Sequence, residues 1–419
     1  MIFFVSKQKR VFADTIQERT IQDCLAYFEN INEIAVDTET QGFDPHTKNV
    51  LSIQIGHFEN QFVVDCTTVN IAQLKPLLEN ENKVFLFHNA KFDLKFLYKH
   101  NIYPKKVYDT FLAECILTTG WEERELSLKW VAHKYCGVTL DKSIRGTIHI
   151  EGLTDRVIVY GADDVKYLPL IKEKQLVQIE HFNLHNLLRL ENEVVKVFAR
   201  MEFNGAPLNK VKWQEVSEQV ETNVKALEEQ MDALIYTHGI KDLPKANVLT
   251  KYCEIYKQGN MFFDDKQRDC NINWSSPAQK TKLLQDLGLK VTSVDDKTLQ
   301  KLKTQHPIVP LLITYSKQNK LATSFGKDFL KFVNPVTGRV HGNVWQVLST
   351  GRISISEPNI NQIPSHGPLA KLIRASFEAP KGYKFVGGDY SGRKNKLNFI
   401  WIIEYLFLYL QIKLINYVF

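Results

Sequence analysis

The stretch EIAVDTET, residues 33–40, decides how this chain is read. Three apolar residues lead into alternating acids and threonines, which is the pattern of a buried strand running out toward solvent. On a strand, residues i and i+2 share a face, so Asp37 and Glu39 present two carboxylates on the same side. Neighbouring carboxylates repel unless a cation lies between them, and hard divalent ions take oxygen ligands of this kind. Taken alone the pattern is common, and an exposed acidic edge explains it as well.

Outward from that strand, NVLSIQIGHF (49–58) and NQFVVDC (60–66) read as further strands with turn residues between them. NKVFLFHNA (82–90) is another short buried strand, and KFDLKFLYKHN (91–101) after it has a helical pattern. Helical spacing continues in TFLAECILTTG (110–120) and ELSLKWVAHKYCG (125–137), and the segment 155–203 reads as helical throughout. Strands first, then helices, with a strand–helix unit between, predict an α/β layer fold. MEFNGAPLN (201–209) breaks the pattern at Gly205 and Pro207. Helical spacing resumes over 212–239 and continues in shorter pieces to about residue 330. NPVTGRVHGNVWQ (334–346) then reads as a hairpin about a Thr-Gly turn. A domain boundary is expected between residues 180 and 190.

The bulk composition narrows the class. With 44% hydrophobic and 24% charged residues the chain has an ordinary globular composition, and 419 residues are too many for one core. The six cysteines are scattered without a CxxC pair, against both a disulfide framework and a zinc site. The first twenty residues lack the apolar run and cleavage site of a signal peptide. A cytoplasmic protein with no membrane partner is expected. The charge is uneven: Lys317–Lys396 holds 13 Lys/Arg against 4 Asp/Glu, and the remainder 40 against 43. A basic C-terminal third on a near-neutral body suits a polyanion, though a solvated basic face has the same composition.

Two more pairs join the first. HNAKFDLKFL (88–97) places Asn89 and Asp93 four apart at a helix start, hence on one face, where ordinary capping is the plainer reading. VYGADDVKYL (159–168) places Tyr160 and Asp164 four apart on a later helix. Asp163 points about 100° away from Asp164 on a helix and is left out. In this order and spacing the three motifs resemble those of the DEDD 3′–5′ exonucleases, in the tyrosine-bearing branch found as the proofreading domain of DNA polymerases. The resemblance covers roughly residues 30–180 and implies a ribonuclease H-like fold. It implies two divalent ions, Mg²⁺ or Mn²⁺, clamping the attacking and leaving oxygens of a terminal phosphodiester. Asp37 would bridge both ions, Glu39 and Asp164 would complete the site for the attacking water, and Asp93 would serve the other ion. Tyr160 would orient that water, since a phenol of ordinary pKa near 10 is a poor base at neutral pH.

From about residue 190 a second resemblance begins, to the polymerase region of family A DNA polymerases of the polymerase I type. It is carried by LENEVVKVFARMEFNGAPLN (190–209), by the thumb-like INWSSPAQKTKLLQDLGL (272–289) and TSVDDKTLQKL (292–302), and most strongly by residues 320–364. In that last stretch stand the TGR, the spaced serines and a closing Ile-Pro, with Asn361-Gln362 where the family has Gln-Asn. Arg352 and Lys320 can neutralise phosphates or reach a minor groove, and Asn359, Asn361 and Gln362 can bond sugar and base edges without reading a sequence. For any single Asn or Gln, turn capping explains it equally well. Expected partners are single-stranded DNA 3′ ends and primer–template duplex, and Asn89 joins the expected DNA contacts.

IRASFEAPKGYKFVGGDYS (373–391) resembles the first motif of the family's palm, with Asp389 as one of two metal-binding aspartates. After Ser391 the resemblance ends: from Lys394 to Phe419, 22 of 26 residues are Phe, Ile, Lys, Leu, Asn or Tyr, all encodable by A and T alone. The expectation is therefore an exonuclease domain (1–185), a mostly helical thumb-like region (186–335), a partial, truncated palm (336–391) and an aberrant tail (392–419). Residues 399–419 are long enough to span a membrane, but Glu404, Lys413 and Asn416 oppose that. Such a chain trims 3′ ends and does not extend them. The rival readings are a stand-alone DEDD exonuclease acting on RNA or DNA, and a DNA-binding remnant without activity.

Overall fold

The computed structural model describes residues 1–386 except 10, 13, 142, 145, 147, 243–252, 256–267, 271 and 365. Asp389, the tail 392–419 and its membrane alternative lie outside the described residues. The described chain forms two compact units. Unit one comprises residues 1–206 and 334–361, together with the stretch from Gly382; unit two comprises 207–333 and 362–381.

Unit one is built on a seven-stranded sheet. Its strands are β1 (Ile2–Val5), β2 (Ile16–Glu18), β3 (Glu33–Thr40), β4 (Val50–His57), β5 (Asn60–Asp65), β6 (Val84–Phe87) and β7 (Lys106–Asp109). They lie in the order β2-β1-β5-β4-β3-β6-β7. β4 runs antiparallel to both its neighbours, and every other pairing is parallel. The helices around it are α1 (Ile21–Tyr27), α2 (Lys75–Leu78), α3 (Ala90–Lys99), α4 (Thr110–Leu117) and α5 (Leu128–Cys136). They continue with α6 (Ile148–Glu151), α7 (Asp155–Lys166), α8 (Leu168–His181) and α9 (His185–Asn204).

Period-2 alternation sorts the strand residues onto two apolar layers. Ile34, Val36, Phe85 and Phe87 face a core completed by Leu94 and Leu97 of α3 and by Val195 and Ala199 of α9. Ala35 and Leu86, one position along, face a second core with Val165 of α7 and Leu168 and Ile171 of α8. Helices thus cover both faces, and β3, near the middle, is buried until its last residues. Buried Lys83 donates to the carbonyls of Phe28, Glu29 and Ile31, each at 2.8 Å, so the turn that follows α1 is closed on a cation at the helix C-terminus.

Two local expectations change. The helical run 155–203 is interrupted at Tyr167, where α8 begins with Pro169 in its first turn, and near Asn183, whose φ of +53° is left-handed. The first unit runs to Ala206, and Val195 and Ala199 bind α9 into its core. The Thr337-Gly338 turn does not join two paired strands. Asn343–Trp345 pairs instead with Ser354–Ser356, because Asn334 uses its side chain to accept from the amides of Val336 and Thr337 and closes a compact loop.

In unit two, α10 (Lys210–Asp242) packs along Ile308–Phe325. Met231, Leu283, Leu284, Leu312 and Tyr315 form its core, and Trp274 donates to Asp232 at 2.8 Å. Trp213 stacks on Phe329 at 4.2 Å and donates to the carbonyl of Gly326. Among the described residues no helix is long and apolar enough to cross a membrane.

Candidate active site

The acids converge where β3 runs out of its core. Asp37, Glu39 and Asp164 each bring a carboxylate oxygen to within 4.8 Å of the others. The first two come from one face of β3 and are half-buried. Asp164 comes from α7, which lies against β3, β4 and β5, and is buried. Asp164 joins this group and Asp163 does not. Three carboxylates so close cannot all ionise without a compensating charge. An all-oxygen donor set with both half-buried and buried members suits a hard divalent cation.

Glycine sets how closely α7 approaches. A Cβ on Gly161 would lie 2.7 Å from Nε2 of Gln54, and one on Gly56 would lie 2.8 Å from Val165. Tyr160, one residue before Gly161, packs among Ile144, Ile148 and Val157 with Leu51 against them. Leu51 reaches that face because the ladder slips there: Glu39 pairs with Ser52, but Thr40 pairs with Val50. A bulge of this kind re-aims a side chain beside a site. Tyr160 also lines a cavity of about 270 Å³ together with Ile16, Asp155, Arg156 and Asp163.

Asp93 sits apart from that triplet. It lies in the first turn of α3, buried, and its Oδ1 accepts a 2.6 Å hydrogen bond from Thr38, the residue between Asp37 and Glu39. Burial first, and then the charge of Asp37, push the Asp93 carboxyl well above the usual carboxylate range. Asn89 departs from expectation. It precedes α3 in a left-handed conformation (φ +72°), its side chain makes no capping bond and is exposed, so it shares no helical face with Asp93.

The capping is done by Asp109 at the end of β7. Its carboxylate accepts from the amides of Asn89 (2.9 Å), Ala90 (2.8 Å) and Phe111 (2.9 Å), holding the starts of α3 and α4 at once. Its own amide donates to Asn192 of α9. Burial pushes the Asp109 carboxyl up to about 6, against the opposing pull of those amides. A folded-state pKa above the unfolded value means stability present in acid and lost as pH rises through about 6. Relative to Asp109→Asn, which does not titrate, the parent should lose on the order of 3 kcal/mol between pH 4 and pH 7. Denaturant unfolding of both proteins across that range measures it, and a pH-independent difference would contradict it. The sequence carried a signal for this residue, an acid ending a β run just before a helical pattern, but it matched no expected motif.

The expected DNA contacts are distributed over both units. Arg352, Asn359 and Asn361 are exposed on unit one; Lys320, on Ile308–Phe325, and Gln362 are exposed on unit two. The stretch 334–361 is held to unit one by polar bonds. Lys91 and Lys95 of α3 reach the two oxygens of buried Glu202 at 2.6 and 2.7 Å, and the amide of Val344 donates to the same carboxylate at 2.6 Å. Asn334 donates to Asp44, Gln346 to Glu191, and Arg124 to the carbonyl of Val347. Gly205 is required beside it: its φ is +63°, and a Cβ there would lie 2.7 Å from the His341 ring.

Comparison with known proteins places these features. Residues 15–180 match the family model described as 3′–5′ exonuclease, and residues 250–393 match DNA polymerase family A. A DNA polymerase I of Aquifex aeolicus is 27% identical over 89% of this chain and 60% of its own length. A DNA polymerase I of Caldicellulosiruptor bescii is 34% identical over 38% of this chain and 18% of its own. The chain thus spans three fifths or less of these relatives. Among solved structures, the POL domain of Pol1 from M. smegmatis, in complex with DNA primer-template and dNTP, has a similar fold. Its TM-score is 0.67 at 19% identity, over 91% of this chain and 59% of that one.

Proposed function

The chain belongs to DNA polymerase family A, with a 3′–5′ exonuclease domain, and from that premise we propose that Asp37, Glu39, Asp93 and Asp164 hold two Mg²⁺ or Mn²⁺ ions that hydrolyse the terminal phosphodiester of a DNA 3′ end. The observation that carries this reading is the convergence of Asp37, Glu39 and Asp164 within 4.8 Å. Bound there, divalent ions supply an activated water and a counter-charge for the leaving oxygen. Asp37, which shares the triplet with Glu39 and Asp164 and whose charge acts on Asp93, would serve both ions, with Glu39 and Asp164 holding one and Asp93 the other. Thr38 donates to the Asp93 carboxyl at 2.6 Å and fixes its position, and a bound cation would offset the burial that disfavours its charge. Tyr160, locked in its apolar setting beside Gly161, orients the attacking water. Exposed Asn89 meets the terminal nucleotide.

For the remainder we propose that Arg352, Lys320, Asn359, Asn361 and Gln362 contact primer–template backbone and sugar edges, and that Asp389 serves a polymerase palm. The 419-residue polypeptide is expected to trim and not to extend, since its match to the polymerase family stops at residue 393. One assay tests the reading: a 5′-labelled primer–template, and matched single-stranded DNA and RNA oligomers, incubated with Mg²⁺ with and without deoxynucleotides. The expected result is a ladder receding from the 3′ end, faster on single-stranded DNA than on RNA, and no extension. Faster trimming of RNA would favour the stand-alone RNase reading, and binding without products would favour the inactive remnant.

A further inference from the structure

Beneath the acids lies a buried polar pair that the proposed mechanism does not use. Gln54 stands opposite Asp37 in the β3–β4 ladder, and Ser52 stands opposite Glu39. Directly opposed residues share a face with Cβ atoms about 4.5–5.5 Å apart, so both belong to the face that carries the acids. Both are fully buried, at 0% exposure. Gln54 Nε2 donates to Ser52 Oγ at 2.7 Å, while Gln54 Oε1 has no partner among the described residues. Over this amide α7 closes at Gly161, between Tyr160 and Asp164, so tightly that a Cβ there would meet Nε2 at 2.7 Å.

A buried acceptor left unpaired is destabilising, because it gives up its hydrogen bond to water without replacement. A leucine of similar volume would avoid that cost, as Ala35 and Val165 do elsewhere on this face. The amide has one evident use. By filling an acceptor site of the Ser52 hydroxyl, it leaves that hydroxyl's proton to donate toward the carboxylates on its own face. The same amide is the spacer on which α7 rests, and so sets how far Asp164 stands from Asp37 and Glu39.

We propose that Gln54, acting through Ser52, is a positioning residue of the cation site: it orients the β3 carboxylates and sets the gap across which Asp164 completes them. The inference rests on the exonuclease reading for its consequence, but not for its test, because cation binding can be measured without catalysis. Partners that orient metal ligands through hydrogen bonds are typically worth about 10–100-fold in metal affinity or activity.

The experiment is calorimetric titration of Mn²⁺ into the full chain, the Gln54→Leu variant, the Ser52→Ala variant and the double variant, with a melting curve for each. The expected result is Mn²⁺ binding weakened about tenfold in either single variant. The double variant should be no worse than the singles, since the two residues act as one device, and the melting temperature of Gln54→Leu should be unchanged or raised. Trimming by the variants should recover at high Mn²⁺, a KM-like defect in metal rather than a loss of the reaction. Wild-type Mn²⁺ affinity in Gln54→Leu, at wild-type melting temperature, overturns the inference and leaves the exonuclease reading standing. Weakened binding in the variants, with a parent chain that trims nothing, upholds the positioning role and fails the exonuclease reading instead. Should Gln54→Leu not fold, Ser52→Ala decides: unchanged affinity there overturns the inference.

Discussion

Replacing Asp37 with alanine should abolish 3′ trimming while leaving DNA binding nearly intact. Asp37 is the carboxylate that both other groups depend on: it lies within 4.8 Å of Glu39 and Asp164, and its charge acts on buried Asp93. Metal-assisted stabilisation of the transition state is worth several kcal/mol, so the rate should fall by about a thousandfold or more. Two measurements check it: single-turnover trimming of a 5′-labelled oligomer, and its binding measured in Ca²⁺ by fluorescence anisotropy. Removal of one like charge should also let the Asp93 carboxyl fall toward its ordinary range, which carboxyl NMR would detect. Retained trimming within tenfold of the parent would sink the two-ion assignment.

The second large effect is on stability. Glu202 is 4% exposed and is bonded at once by Lys91, Lys95 and the amide of Val344. Deleting one member of a buried charge group strands the others, which typically costs about 3–5 kcal/mol. Glu202→Ala should destabilise unit one by that amount. Hydrogen exchange at the Val344 amide should accelerate, because its acceptor is gone. Lys95→Met removes one cation and keeps the carboxylate bonded by Lys91 and the amide, so its cost should be clearly smaller. A loss below about 1 kcal/mol for Glu202→Ala would put the group with solvent-screened surface pairs. These bonds also tie Asn343–Trp345 to α3, the helix whose first turn carries Asp93.

The outline of both units was legible because it is written in periodicity. The alternation in EIAVDTET, the apolar run of VFLF and the helical spacing after residue 155 each report a local backbone preference combined with burial. The triplet was legible for the same reason: DxE puts two acids on one strand face, and Asp164 follows Tyr160 by one helical turn. What escaped were features created by contact between elements. Asn89 stands at the cap position but its side chain makes no capping bond, and Asp109, twenty residues on, reaches back instead to the amides of Asn89 and Ala90 at the start of α3. Ser52 and Gln54 look like breaks in a buried strand until the ladder sets them opposite Glu39 and Asp37. The expected hairpin at 334–346 had sound turn chemistry, but Asn334 used it to close a loop. Cα register and side-chain capping at long sequence separation are invisible to any window along the chain.

The central claim is that the β3 acids and Asp164 together hold the catalytic cation, and anomalous diffraction from crystals of the full chain soaked in Mn²⁺ tests it most directly. The account predicts a manganese peak coordinated by carboxylate oxygens of Asp37, Glu39 and Asp164, and a second near Asp93 when a DNA 3′ end is also bound. No peak among these carboxylates at saturating Mn²⁺, or manganese bound only at other residues, would contradict it.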